Sequence, residues 1–303
     1  MKRRGYPDDI AIGSLAGAGT LGLLIPPSII MSVYGVSADV SIARPFMAGV
    51  LPGVMLATLF SGCLVVWALL NPRRVPPADA PMSLAAKLFE SRHLIPVVLL
   101  IAAVLGSIYS GVATATEAAA VGVLGSLVLS ALQGLLGRAS FKAALMGGTR
   151  LYCIIALILA GASFLTLAMG YIGLPRHLAE WIGGLGLSPV ALLTSLMLFY
   201  IVLGCFLDGI SRVVLTMGVI LPTVQKAGID LVWFGIFIVL VVEMAQITPP
   251  VGFNLFVLQG MTRREIGWIA RVTLPFFFLM IAAIGLIWVF PGIVTALPAQ
   301  MKG

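Results

Sequence analysis

The chain has 303 residues, 60% of them hydrophobic and 10% charged, with a mean hydropathy of +1.14. Soluble domains carry about 25% charged and about 45–50% apolar residues, so this composition excludes a water-soluble enzyme, a disordered chain and a collagen-like one. The net charge of +7 reads as positive charge in the cytoplasmic loops of an integral membrane protein, whose partner is the lipid bilayer and not nucleic acid. Cys63, Cys153 and Cys205 all lie inside apolar runs and His93 and His177 stand far apart, which excludes a disulfide scaffold and a zinc or histidine metal cluster.

Taken in chain order, apolar runs are predicted at 10–36, 46–70, 94–112, 114–137, 150–172, 189–222, 231–260 and 272–294, each judged against the roughly 20 apolar residues that a transmembrane helix needs. Polar joints separate them at 71–92, 138–149, 173–188 and 261–271. The joint 71–92 is rich in Pro and charge and reads as a cytoplasmic linker. The joint 173–188 carries Pro175, Arg176, Glu180 and Trp181 and suits a short helix lying in the membrane interface. The run 189–222 is too long for one span and carries the polar stretch Cys205–Arg212 near its middle. It reads as a re-entrant hairpin of two half-depth segments meeting at Asp208 and Gly209, a backbone arrangement tolerated only inside protein or against a wet cavity. The expected organisation is a first repeat over 1–70 (broken helix 10–36, helix 46–70), the linker 71–92, connecting helices over 93–188, and a second repeat over 189–303. That second repeat holds hairpin 189–222, broken helix 231–260 and final helix 272–294.

Charge supports the hairpin. If every other run crosses the membrane, one face collects Lys2, Arg3, Arg4, Arg73, Arg74, Lys87, Arg92, Arg138, Lys142, Arg150, Arg263, Arg264 and Arg271. By the positive-inside rule that face is cytoplasmic. Were 189–222 a crossing, the cluster Arg263–Arg271 would fall on the other side.

An internal repeat runs through the chain. Pro26-Pro27 recurs as Pro249-Pro250, Gly5 as Gly228 and Pro52 as Pro275, all at one offset of 223 positions. On the sidedness above, the two copies face opposite ways, which predicts the inverted-topology repeat of many secondary transporters. The fold class expected is therefore an all-α polytopic membrane protein, an inverted-repeat secondary transporter with broken helices and a re-entrant hairpin. The offset aligns Met1 with Val224, so the first copy of the hairpin would precede Met1. The expectation is a truncated first repeat, from a fragment, a mis-called start, a split gene or a lost element.

Proline removes an N–H donor and clashes with the carbonyl four residues back, at a cost of about 3 kcal/mol in a helix interior. The pair Pro26 and Pro27 is predicted to free the carbonyls of Gly22 and Leu23, and Pro249 with Pro250 those of Ala245 and Gln246. Freed carbonyls and the hydroxyls of Thr20, Ser28 and Thr248 are hard oxygen donors suited to an alkali cation, while half-helix N-termini after each break favour an anion. Each break also reads as a plain kink. Asp208, with Ser211 and Arg212 close by, is either a cation or substrate ligand or one half of an Asp208–Arg212 pair. Glu117 either caps a helix with Thr114 or acts at a site. Glu243 either binds ions or pairs with a basic neighbour, and Asn254 follows the second break where it could meet substrate. The run Gly13-Ser-Leu-Ala-Gly17 reads as close helix packing. No Walker A motif appears, so ATP does not drive the chain directly. No nucleophile and base stand at matched depth, so the chain reads as no enzyme, with no cofactor beyond a coupling ion.

The motifs KRRGYP at 2–7, GTLGLLIPPS at 19–28, FMAGVLP at 46–52, TATEAAA at 114–120, GCFLD at 204–208, GID at 228–230 and TPPVGFN at 248–254 resemble the large membrane subunit of TRAP (tripartite ATP-independent periplasmic) transporters. These are typified by C4-dicarboxylate and sialic acid systems. The resemblance implies a sodium-driven elevator permease in the bacterial inner membrane, importing small carboxylates with a small membrane subunit and a periplasmic substrate-binding protein. It also implies that sodium and substrate sit at Ser28 with the Pro26-Pro27 break, at Asp208, and at Thr248, Gly252 and Asn254. Ser28, Asp208 and Thr248 are the candidate sodium ligands. A stand-alone divalent-anion/sodium symporter is the alternative, told apart by whether a binding-protein gene lies next door. The chain departs from the family in lacking the N-terminal part where its first hairpin lies, and in Ala115, where the family usually has proline.

Overall fold

The computed structural model describes residues 5–76, 83, 86, 89, 91, 94–204, 206–249 and 252–301. Of the sequence candidates, Pro250, Cys205 and His93, with the basic residues Lys2, Arg3, Arg4, Lys87 and Arg92, lie outside the described residues. Among the described residues there are thirteen α-helices and no strand. They are α1 (Asp8–Leu24), α2 (Ile29–Ser37), α3 (Ala43–Leu70), α4 (Ile95–Tyr109), α5 (Ala115–Leu132), α6 (Arg138–Ile172) and α7 (Leu174–Gly184), followed by α8 (Pro189–Leu203), α9 (Gly209–Lys226), α10 (Leu231–Gln246), α11 (Phe253–Thr262), α12 (Ile266–Val289) and α13 (Gly292–Ala299). Four of them, α3, α5, α6 and α12, are long and apolar enough to cross a membrane, and α1 with α2 forms a fifth such path bent by 42°.

Two compact units divide the chain, Met1–Pro76 with Ile158–Ala299, and Pro77–Leu157 with Gln300–Gly303. In the second unit α4 packs on α5, with Val104 against Gly122 and Leu100 against Gly125. Helix α5 opens on a capping box. The Thr114 hydroxyl accepts from Glu117 N at 3.3 Å, and Glu117 Oε2 accepts from Thr114 N at 2.8 Å. Glu117 is thereby a helix cap, the structural one of its two readings. Replacing the cap should cost about 1 kcal/mol, so Thr114→Ala is expected to lower thermal stability slightly and leave substrate uptake unchanged, measured side by side in one reconstituted preparation.

Two expected boundaries are corrected. The joint 138–149 is the opening of α6, a continuous helix of 35 residues. It contains no proline and is rich in Ala, Leu and Met, all good helix formers, and Ser140 closes its first turn by bonding Gly137. The final run ends as a helix at Val289, and a separate short helix begins at Gly292.

The first unit is built on the two broken helices. The starts of α1, α2 and α3 at 8, 29 and 43 recur at 231, 253 and 266 in α10, α11 and α12. The glycines ahead of each copy, Gly5 and Gly228, both take left-handed backbone, φ +77° and +72°, which only glycine adopts without cost. Every residue of α10 from Val232 to Gln246 is buried, the polar Glu243 and Gln246 among an otherwise apolar set, as expected of a helix at the centre of a bundle. At 16 residues it is too short to cross the membrane.

Contacts locate the starts of α1 and α10 within the unit. Arg264 bonds Asp8 at 2.6 Å and Arg74 bonds Asp9 at 2.7 Å, so the start of α1, the chain after α3 and the α11–α12 loop share one end of the unit. These exposed pairs contribute little energy, but they fix where the loops lie. Helix α10 begins elsewhere, at the far end of α2, where the Tyr34 hydroxyl donates to Leu231 O at 2.6 Å and the Tyr34 ring lies against Gly235. Between the copies, α1 packs on α12 through Gly13 and Gly17. A Cβ on Gly13 would stand 2.4 Å from Val272 O, and one on Gly17 2.5 Å from Phe276 Cδ1, so this glycine pair makes the close helix approach that its spacing suggests. On α10, Trp233 Nε1 donates to Ile287 O of α12 at 3.0 Å.

Between α8 and α9 the chain folds back. The Tyr200 hydroxyl hydrogen-bonds Thr216, eight residues on either side of Asp208, whereas a straight helix would separate them by about 24 Å at 1.5 Å per residue. The expected end at Pro222 is passed: α9 continues with Pro222 inside it to Lys226.

Candidate functional site

The two breaks and the fold-back meet at one place. A Cβ on Gly209, the first residue of α9, would stand 2.9 Å from Ile30 Cδ1, 3.0 Å from Val242 Cγ1 and 3.2 Å from Gln246 Nε2. Ile30 opens α2 just past the first break, and Gln246 closes α10 just before the second. Helix α11 approaches from the remaining side: a Cβ on Gly19 of α1 would lie 3.5 Å from Asn254 Nδ2. The N-termini of α2 and α9 therefore meet here, and α11 starts beyond the second break against Gly19 of α1, each such end carrying partial positive charge. A glycine at 209 lets the tip seat against both broken helices.

At the first break, Thr20 is buried and its hydroxyl donates to Gly17 O at 2.8 Å. Pro26 is buried and Pro27 exposed. Ser28 is buried, N-caps α2 and donates its hydroxyl to Leu23 O. The expectation that Leu23 is left free is thus corrected, since Ser28 fills that carbonyl from five residues on.

At the second break, Thr248 is half-buried and donates to Met244 O at 2.8 Å, while Pro249 is exposed. The Ala245 carbonyl, expected to be freed, accepts from Thr248 N at 3.3 Å because the chain tightens into a last turn there. Gly252 is buried, and a Cβ on it would stand 2.5 Å from Gln246 O and 2.8 Å from Thr248 O. Two carbonyl oxygens thus turn toward the position just before α11. Asn254 holds its Nδ2 buried with no hydrogen-bond partner. A cavity of about 260 Å³ opens beside this break, lined by Ile247, Thr248, Pro249, Ala270, Arg271 and Phe277. A larger one of about 540 Å³ lies away from the breaks, where α2, α6 and α9 supply Ser37, Ser163, Thr166, Tyr171 and Met217.

At the tip, Asp208 is exposed and N-caps α9, its Oδ2 accepting from Ile210 N at 3.0 Å and Ser211 N at 3.2 Å. Ser211 is half-buried. The expected Asp208–Arg212 pairing takes another form. Arg212 is 1% exposed and donates Nε to the main-chain oxygen of Asp208 at 3.3 Å and Nη1 to Val242 O at 3.5 Å. It ties the tip to α10 through backbone carbonyls.

The hydroxyls of Thr20, Ser28 and Thr248 spend their protons locally. Each oxygen still carries acceptor lone pairs that a hard cation can use. Their local bonds account for the backbone left short by the prolines. Sequence reasoning placed Gly209 at the tip and Gln246 at the second break but not what they touch, nor that Gly204 packs against Ala245 and Arg212. Among the described residues no group of three or more His, Cys, Asp or Glu could hold a metal ion, so a cation here would be held by carbonyls, hydroxyls and single carboxylates.

Residues 1–293 match the family described as the tripartite ATP-independent periplasmic transporter, DctM component. The chain belongs to the DctM family. It is 32% identical to the C4-dicarboxylate TRAP transporter large permease protein DctM of Pseudomonas aeruginosa, over 98% of this chain and 69% of that one. The protein of the same description from Vibrio cholerae is 29% identical over 100% and 71%. The sialic acid TRAP transporter permease protein SiaT of Haemophilus influenzae is 28% identical over 98% of this chain and 48% of that one. As a DctM-family permease with several apolar spans, the chain is a multi-pass protein of the bacterial inner membrane. Its α5 and α6 fit that setting, with only 6% of their most apolar stretches buried.

Proposed function

We propose that the chain is the membrane permease subunit of a sodium-driven, binding-protein-dependent secondary transporter that imports small carboxylates. The observation that carries this reading is the convergence at Gly209 of the two proline breaks and the fold-back tip. Broken helices meeting at one point supply carbonyl and hydroxyl oxygens for a cation, and half-helix N-termini for an anion. The separate places at which α1 and α10 begin support an inverted-topology repeat, and such repeats provide alternating access by moving one bundle against the other. An elevator movement of the element carrying the breaks and the tip fits this arrangement. The partners are a small membrane subunit and a periplasmic substrate-binding protein.

Sodium is assigned to Ser28, Asp208 and Thr248, and substrate to the N-terminal ends of α9 and α11 with Asn254, Gly252 and Ser211 around it. Asp208→Ala and Thr248→Ala are each expected to weaken the dependence of uptake on sodium, raising the half-saturating sodium concentration by about tenfold or more, the equivalent of about 1.4 kcal/mol. Uptake into proteoliposomes holding the complete transporter, titrated with sodium, reads this directly. Sodium curves that superimpose on wild type for both variants would remove the assignment.

A further inference from the structure

Glu243 is fully buried, 0% exposed, on α10. Neither of its carboxylate oxygens has a hydrogen-bond partner. It lies twelve residues into α10, about 18 Å along the axis from the start of the helix at 1.5 Å per residue, with every neighbour from Val232 to Gln246 buried. An acidic side chain kept at that depth without a counter-ion marks function more often than structure.

The contacts of its helix mates place it on the wheel. On the helical wheel of α10, Trp233 and Phe237 face α12, Gly235 and Val242 face α2 and α9, and Ala245 faces Gly204 at the end of α8. At 100° per residue Glu243 falls on the remaining flank, and α1 and α3 also pack on this helix. The ionisable groups on the elements packed against α10 are engaged elsewhere or lie apart from it. Asp8 and Asp9 of α1 bond Arg264 and Arg74. Tyr34 of α2 bonds Leu231 O, Tyr200 of α8 bonds Thr216, and Asp208 and Arg212 of the tip bond backbone. Arg44 and Cys63 of α3, Lys226 of α9 and Arg271 of α12 complete the set, while α11 and α13 carry none. Arg212 reaches the carbonyl of Val242, the residue before Glu243, yet neither carboxylate oxygen of Glu243 has a hydrogen-bond partner. An isolated buried carboxylate is so costly that the group holds its proton instead.

We propose that Glu243 is a proton-binding site within the transport machinery, loaded in the described conformation and emptied when the helices around the breaks rearrange. On emptying, the carboxyl O–H bond breaks, the proton passes to a water oxygen and the carboxylate remains. Reloading takes one proton from the opposite side. Each cycle thus carries a proton with the substrate. Helix α10 ends one turn later at the second break, so a movement there reaches Glu243 directly. This inference rests on the transporter reading above.

The test has two arms. Infrared difference spectra of the purified protein, wild type minus Glu243→Gln, should show a carboxylic-acid C=O band at neutral pH. This arm needs no transport, so its failure is distinguishable from a failure of the transporter reading. In proteoliposomes of the complete transporter with an entrapped pH dye, substrate uptake by wild type should acidify the lumen. Glu243→Gln, fixed in the neutral form, should reduce that proton movement to background and flatten the pH profile of uptake. Glu243→Asp, which restores a titrating carboxyl in place of the amide, should recover both. Absence of the band, or proton movement unchanged in Glu243→Gln, overturns the proposal.

Discussion

Gly252→Ala should abolish uptake while leaving most of the protein folded. The backbone of Gly252, φ −55° and ψ 116°, is open to alanine, so the effect is purely steric. The new methyl would sit 2.5 Å from Gln246 O and 2.8 Å from Thr248 O, far inside ordinary contact, and both obstacles are main chain. Relief requires the turn between α10 and α11 to open, which moves the two carbonyls and the N-terminus of α11 together. Overpacking of this kind costs about 1–3 kcal/mol, enough to lower thermal stability by a few degrees. A displacement of ligand oxygens by about 1 Å is enough to cost transport far more than stability. Gly260→Ala is the control, since a Cβ there meets nothing within 4 Å on the same helix. Uptake and melting temperature measured for both variants decide the matter. A Gly252→Ala protein that transports like Gly260→Ala would show that the turn plays no part in binding.

A second large effect is expected at the seam between the repeats. Gly13→Ala places a Cβ 2.4 Å from Val272 O and 3.2 Å from Val272 C, so α1 and α12 must separate along their contact. The expected loss is about 1–3 kcal/mol, and Gly13→Leu should exceed it and reduce the folded yield sharply. Gly62→Ala makes the opposite prediction. It lies in α3 with nothing near its Cβ, and replacing a mid-helix glycine at an open position should stabilise by about 0.5–1 kcal/mol. Opposite signs for the two substitutions, read as melting temperatures of the purified protein, would establish that α1–α12 contact sets stability. Equal and small shifts would mean the two helices do not touch closely in the membrane.

Much of the fold was legible in the sequence because its causes are local. A long apolar run must be helical in lipid, where no water can satisfy the backbone, and a double proline must interrupt it wherever it occurs. The breaks after Leu24 and Gln246, the turn ahead of Asp208 and the cap at Thr114 all follow from residues within a few positions of one another. The matching starts of α1 and α3 with α10 and α12 were legible for the same reason, since equal spacing of prolines and glycines is a property of the chain alone. The opening of α6 was not, because polar residues and the pair Gly147-Gly148 within 138–149 mask a stretch that has no proline to stop a helix.

What the sequence by itself determined was where the helices stop and which oxygens stand near each stop. Only the tertiary structure decided what those stops meet. Ser28 spends its proton on Leu23 O, Arg212 spans from Asp208 O to Val242 O, and Gly209 rather than Asp208 makes the close approach to both broken helices. The solitude of Glu243 is likewise a tertiary fact. Periodicity can place an acid on one flank of a helix, but whether a basic group reaches it depends on how distant segments pack. That packing is set by steric fit between surfaces far apart in the chain, which no local pattern encodes.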